Sequence, residues 1–201
     1  MGGKTIWRLA FAAAMVFPFA GGAVAIQEGK HEKVRLKACQ KSFCQLVTGK
    51  ASDKGPFTCD LKKTWRKKDL KDGSKQGKVS WLFGDASCSL HLRLSRKAVT
   101  SALKDQSATV HFADHAVTCF IDDGKKTKKV TGVLAPKVQF EKGKVSRVWV
   151  NLKKVDGPMF MKGLAFAAAG LEDKVGIFNS KLAKAINDMI YEKCPKVVSG
   201  K

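Results

Sequence analysis

Six cysteines, Cys39, Cys44, Cys59, Cys88, Cys119 and Cys194, constrain this chain more than any other feature. All lie downstream of an N-terminal stretch built like an export leader, and their number is even. In an oxidising compartment that parity predicts three disulfides, drawn from about 15 possible pairings. Each contributes roughly 2–5 kcal/mol, comparable to the net stability of a whole domain. Metal binding, the rival use of cysteine, needs clustered ligands. No C-x-x-C occurs and no second close pair complements Cys39 and Cys44, so neither a metal nor a cofactor is expected. Cys194, near the C-terminus, is expected to pin the last helix to the body.

The leader has the usual three parts. Lys4 and Arg8 precede an apolar run from Leu9 to Ala20, and Ala23-Val24-Ala25 offers small residues to an export peptidase. Pro18 and Gly21-Gly22 interrupt the run, which falls short of the roughly 20 apolar residues that cross a bilayer. Cleavage is expected after Ala25, giving a periplasmic or secreted product with no transmembrane span. Residues 26–56 then read as a basic N-terminal segment and 57–201 as one domain.

That domain shows runs of strands followed by helices. The pattern predicts an α+β architecture: a meander of antiparallel hairpins over 57–155, covered by C-terminal helices over 158–194. Val34, Leu36 and Ala38 alternate with Arg35 and Lys37 as in a half-buried strand, and Cys39 and Cys44 then bracket a loop. Phe57, Cys59 and Leu61 predict a strand, which Lys63 should end or bend before Trp65 because its charge would point inward. A polar connector over 68–78 turns at Asp72-Gly73, and 79–94 reads as a hairpin about Gly84-Asp85. A short helix over 95–104 is capped by Ser95. Further hairpins turn at Asp114-His115, Asp123-Gly124 and Lys142-Gly143, the last continuing as one strand to about 155. An apolar helix over 158–170 is too short to span a membrane. A final helix carries the stripe Leu182, Ile186, Met189 and Ile190, and Cys194-Pro195 ends it.

Charge points to the class of partner. Lys and Arg number 38 against 17 Asp and Glu, a formal net charge of +21, and 32 of those bases are Lys. Lysine is a hydrated point charge, whereas arginine is the fork that grips one phosphate or carboxylate. The excess therefore predicts diffuse attraction to an anionic surface. It concentrates in two places: Lys62, Lys63, Arg66, Lys67 and Lys68 around Trp65, and Lys125, Lys126, Lys128 and Lys129. Export separates these clusters from cytoplasmic DNA and RNA, and no recognised nucleic-acid motif is present. An anionic polymer or lipid surface of the cell envelope is the expected partner, with Trp65 as an aromatic contact.

Catalysis finds less support. G-x-S-x-G, H-E-x-x-H and G-x-x-x-x-G-K-[ST] are absent. His111 and His115 share one predicted hairpin but sit several rungs apart. His91 and His111 read as neighbouring solvated strand histidines. Turn chemistry explains Asp122-Asp123 and a helix start explains Glu172-Asp173. No residue is assigned a catalytic role. Non-enzymatic binding is the leading expectation, carriage of a small apolar or lipid ligand beneath the C-terminal helices the alternative, and an unrecognised hydrolase the third.

Overall fold

The computed structural model describes residues 26, 28–74, 81–163, 165 and 177–200. Its first element corrects the reading of Val34 to Ala38 as a strand: they lie in helix α1, Glu32–Val47. Glu32, Leu36, Cys39, Gln40, Phe43, Cys44 and Val47 turn inward while Val34 stays exposed. Those positions follow a 3.6-residue period over four turns, which outweighs three residues of alternation. No loop separates Cys39 from Cys44. Five residues apart in a helix, they point about 140° away from each other. Cys39 accordingly bonds Cys59, and Cys44 bonds Cys194.

Among the described residues, eight strands form two antiparallel sheets. The larger holds β1 (Pro56–Trp65), β2 (Ala86–Ser95), β4 (His115–Asp122), β5 (Thr127–Leu134) and β8 (Leu152–Asp156), in the order β1-β2-β4-β5-β8. The smaller holds β3 (Ser107–His111), β6 (Lys137–Glu141) and β7 (Lys144–Trp149), in the order β3-β6-β7. One long hairpin, 127–156, belongs to both. Its two arms leave the larger sheet at Ala135-Pro136 and return at Val150-Asn151. There the Ala135 N–H donates to the Asn151 carbonyl and the Asn151 amide to the Ala135 carbonyl, both at 3.0 Å. Asn151 holds φ +50°, which asparagine tolerates better than most side chains. The single strand expected to run to 155 is therefore broken at this residue. At the tip, Lys142 and Gly143 take φ +51° and +75°, the two-residue turn that matches strand twist.

Other pairings differ from expectation. Residues 81–85 form no strand, and β2 lies between β4 and β1, pairing with β1 in register from Pro56↔Ser95 to Trp65↔Ala86. Residues 79 and 80 lie outside the described residues. Strands β3 and β4 make no hairpin: β3 pairs with β6, and β4 with β2 and β5. His115 is not at a turn tip but only 5% exposed. Its Nε2 sits 3.1 Å from both the N and O of Arg93, where β2 and β4 part. The polar connector is helix α2, Lys67–Ser74, whose first N–H donates to Asp85 Oδ1 at 2.8 Å. A cap supplied from 18 residues away leaves no local sequence signal.

The main core lies under the smaller sheet. Val110, Val138, Phe140, Val145 and Val148 pack against α3 (Arg96–Ala102) and α4 (Ile177–Asn187) through Ala102, Leu103, Leu182, Ala183 and Ile186. Ser95 caps α3 as expected, its hydroxyl accepting the Ala98 N–H at 3.2 Å. Asn187 ties α4 to β7 through both backbone groups of Val145. The helical path does not end at Cys194-Pro195. A π-helical turn, Asp188–Lys193, leads into α5, Cys194–Ser199, where Pro195 occupies the first turn and needs no N–H partner. Cys194 does fasten this last helix to α1. The result is one α+β domain with three disulfides and antiparallel sheets covered by helices. Of the apolar segment 158–170, residues 159–163 and 165 are helical and Met161 is buried; 164 and 166–170 lie outside the described residues, as do 1–25.

Candidate functional site at the lysine-rich end of the larger sheet

Register brings the two lysine clusters to one end of the larger sheet. Trp65 opposes Ala86, Ala86 opposes Ile121, and Ile121 opposes Lys128. One rung along, Thr64, Ser87, Phe120 and Lys129 align in the same way. The clusters are thus three strand spacings apart, about 14 Å.

Strand β1 continues through Trp65, and Lys63 keeps the parity of Phe57, Cys59 and Leu61 with its side chain 43% exposed. The charge is tolerated because Glu32, at the start of α1, meets it: Lys63 Nζ lies 3.5 Å from Glu32 Oε1. The buried Glu32 carboxylate also accepts the Thr64 N–H at 2.8 Å and the Thr64 hydroxyl at 2.9 Å. Burial pushes its pKa up, but the Thr64 bonds and the Lys63 charge more than offset this and hold it below the ordinary glutamate value. The Thr64 N–H is on the outer edge of β1, so the same carboxylate closes that edge. Trp65 itself is half-buried at the strand's end.

Two more bases are structural. Arg66 Nη1 donates to Asp85 Oδ2 at 2.8 Å and to the Ile26 carbonyl at 3.2 Å. The Lys67 N–H, with the Arg66 guanidinium, holds Asp85 below its ordinary pKa. Lys128 Nζ lies 3.6 Å from Asp123, whose carboxylate accepts the N–H groups of Lys126 and Lys125 and is held low by them. The remaining lysines differ. Lys62, Lys68, Lys125, Lys126 and Lys129 are exposed and have no carboxylate partner among the described residues. The predicted set therefore divides into Lys63, Arg66 and Lys128, which hold the fold, and five lysines that face solvent. Lys67 does both, its N–H capping α2 and its side chain exposed.

The histidines do not converge. His91 Nδ1 is 2.7 Å from Asp60 on the exposed face of the larger sheet, whereas His111 belongs to the smaller one, so they are not neighbours. Among the described residues no three His, Cys, Asp or Glu side chains gather as a metal site would need. Asp122 accepts the Gly124 N–H at 2.8 Å, the turn role expected of it; Glu172 and Asp173 lie outside the described residues. One cleft of ≈ 780 Å³ opens between Gly55-Pro56, Arg93–Ser95 and Val110–Ala113, and another of ≈ 460 Å³ is lined by Leu46, Thr100, Leu103 and, from the C-terminal helical path, Ile190 and Tyr191. No helix among the described residues is long and apolar enough to cross a membrane.

Sequence reasoning missed the apolar part of this end. Leu82, Phe120, Met159 and Phe160 are exposed, whereas the sequence pattern places 79–83 in a strand and 158–170 in an apolar helix without marking any of them as surface. Compared with known protein families, characterised proteins and solved structures, the chain matches none.

Proposed function

We propose that this chain is an exported, non-enzymatic protein that binds an anionic polymer or membrane surface of the cell envelope through the lysine-rich end of its larger sheet. One observation carries the reading: clusters some sixty residues apart in sequence meet at one end, where Lys62, Lys68, Lys125, Lys126 and Lys129 have no carboxylate partner among the described residues. Their spacing suits a broad charged surface better than one small anion. Three disulfides and the leader-like first 25 residues support a periplasmic or secreted location, with cleavage after Ala25. N-terminal sequencing of exported material tests the address, and Ile26 is the expected first residue.

Retention on a soluble sulfated polysaccharide and on vesicles containing phosphatidylglycerol tests the binding. Attraction of this kind weakens as salt shortens the Debye length from about 10 Å at 0.1 M to 3 Å at 1 M. Binding to either probe that falls steeply with salt supports the reading. Absence of binding to both probes at low salt contradicts it.

A further inference from the structure

The lysine-rich end carries an apolar tip. Leu82 is 74% exposed, Met159 88% and Phe160 53%. The two segments that carry them meet: the Phe160 ring is 5.4 Å from Phe83, and Phe83 5.1 Å from Trp81. The segment 81–85 is fixed to the end of β4, where the Gly84 N–H donates to the Asp122 carbonyl and the Asp122 N–H to the Asp85 carbonyl. Gly157, just before Met159, packs so close to β5 that a Cβ would lie 3.3 Å from the Lys129 carbonyl. The tip therefore stands beside Arg66 and Lys67 on one flank and Lys125 to Lys129 on the other.

A soluble polyanion gains nothing from exposed leucine, methionine and phenylalanine. A bilayer does: peripheral attachment combines apolar side chains at the headgroup–acyl boundary with basic residues on anionic headgroups, and either alone is weak. Accepting the anionic-surface reading above, we propose that its partner is an anionic bilayer. Leu82, Met159 and Phe160 enter the interface while Lys68, Lys125, Lys126 and Lys129 lie over phosphate groups. Trp65 and Trp81 sit at this end. Trp149, in the smaller sheet with Lys137 Nζ 3.9 Å from its ring centre, stays away from the lipid.

The test uses the mature chain with three probes: vesicles of phosphatidylcholine with one-third phosphatidylglycerol, vesicles of phosphatidylcholine alone, and a soluble sulfated polysaccharide. The parent is expected to bind the anionic vesicles, and bromine-labelled acyl chains to quench Trp65 and Trp81 but not Trp149. Replacing Leu82→Ser, Met159→Ser and Phe160→Ser together should weaken vesicle binding by about tenfold or more and leave polysaccharide binding unchanged. The pair Leu82→Ser and Met159→Ser, which spares the Phe83 contact, should show the same direction and guards against misfolding. A parent that binds polysaccharide but not anionic vesicles overturns this inference and leaves the broader reading standing. So do serine variants that bind vesicles as the parent does. A parent that binds neither anionic probe overturns both.

Discussion

The two sheets are stabilised by different means. The inner face of the smaller one, Val110, Val138, Phe140, Val145 and Val148, is buried under α3 and α4. The corresponding face of the larger one is covered unevenly: Phe57, Ala86 and Val155 are buried, whereas Leu61, Leu90, Leu92, Leu94, Val117, Ile121 and Val130 keep partial exposure. Cross-links and ion pairs supplement the packing there. Cys88 bonds Cys119 across adjacent strands, Cys59 bonds Cys39 in α1, and Glu32 joins Lys63 and Thr64 at the outer edge. The lysine-rich end belongs to this pinned region, not to the packed one. A surface full of like charges is held open more readily by covalent and ionic pins than by apolar burial, which it would have to shield from water.

Mutations can break this contrast at several levels. The largest effect is expected from Cys44→Ser with Cys194→Ser, because that bond closes the longest loop, 150 residues. Chain entropy puts its loss on the order of 5 kcal/mol, against about 4 for the Cys88–Cys119 pair. Urea denaturation of both double variants measures the order. Next, Phe140→Ala beneath the smaller sheet should cost about 3–5 kcal/mol, whereas Leu90→Ala on the unevenly covered face should cost less than about 2. Equal losses at the two sites would remove the distinction between packed and pinned sheets.

Acid separates the regions further. Because the folded state holds Glu32 below its ordinary pKa, the stabilisation is present above the unfolded value and lost as pH falls through the folded one. Asp85 behaves likewise. Glu32→Gln should therefore lower the unfolding free energy measured by urea titration at neutral pH, by an amount on the order of 1–3 kcal/mol. The gap from the parent should close below the ordinary glutamate range. A gap that stays constant with pH would mean that the carboxylate's charge is not what pins β1. The smallest effect on stability is expected from Lys62, Lys68, Lys125, Lys126 and Lys129 changed singly to Ala, each within about 0.5 kcal/mol.

The sequence and the structure agree where the chemistry is local. Gly124 and Lys142-Gly143 mark turns by backbone preference alone, Ser95 caps the helix that follows it, and Leu182, Ile186 and Ile190 reveal their helix by spacing. They disagree where a distant partner decides. Asp85 caps α2 from the start of the neighbouring strand, and Cys39 and Cys44 need helical geometry to reach opposite partners. Asn151 bends a strand because Ala135, on the other arm, holds it. The lysine clusters were visible as composition, but their convergence depends on β2 and β4 lying between them. Which of those bases are already neutralised depends on Glu32, Asp85 and Asp123, the partners of Lys63, Arg66 and Lys128, and nothing in the neighbouring sequence of Lys63 names Glu32. The exposed tip was hidden for a related reason: Leu82 and Met159 look like core residues in any reading based on hydrophobicity.

The proposed binding rests on the five solvent-facing lysines, and one measurement addresses them directly: the affinity of the mature chain for phosphatidylglycerol-containing vesicles, with and without those five lysines, as salt is raised. Each lysine near an anionic surface is worth about 1 kcal/mol. The five-alanine variant should therefore bind at least about a hundredfold more weakly at low salt, and its affinity should depend less on salt. An affinity that matches the parent's across the salt series would contradict the assignment of this end as the binding site.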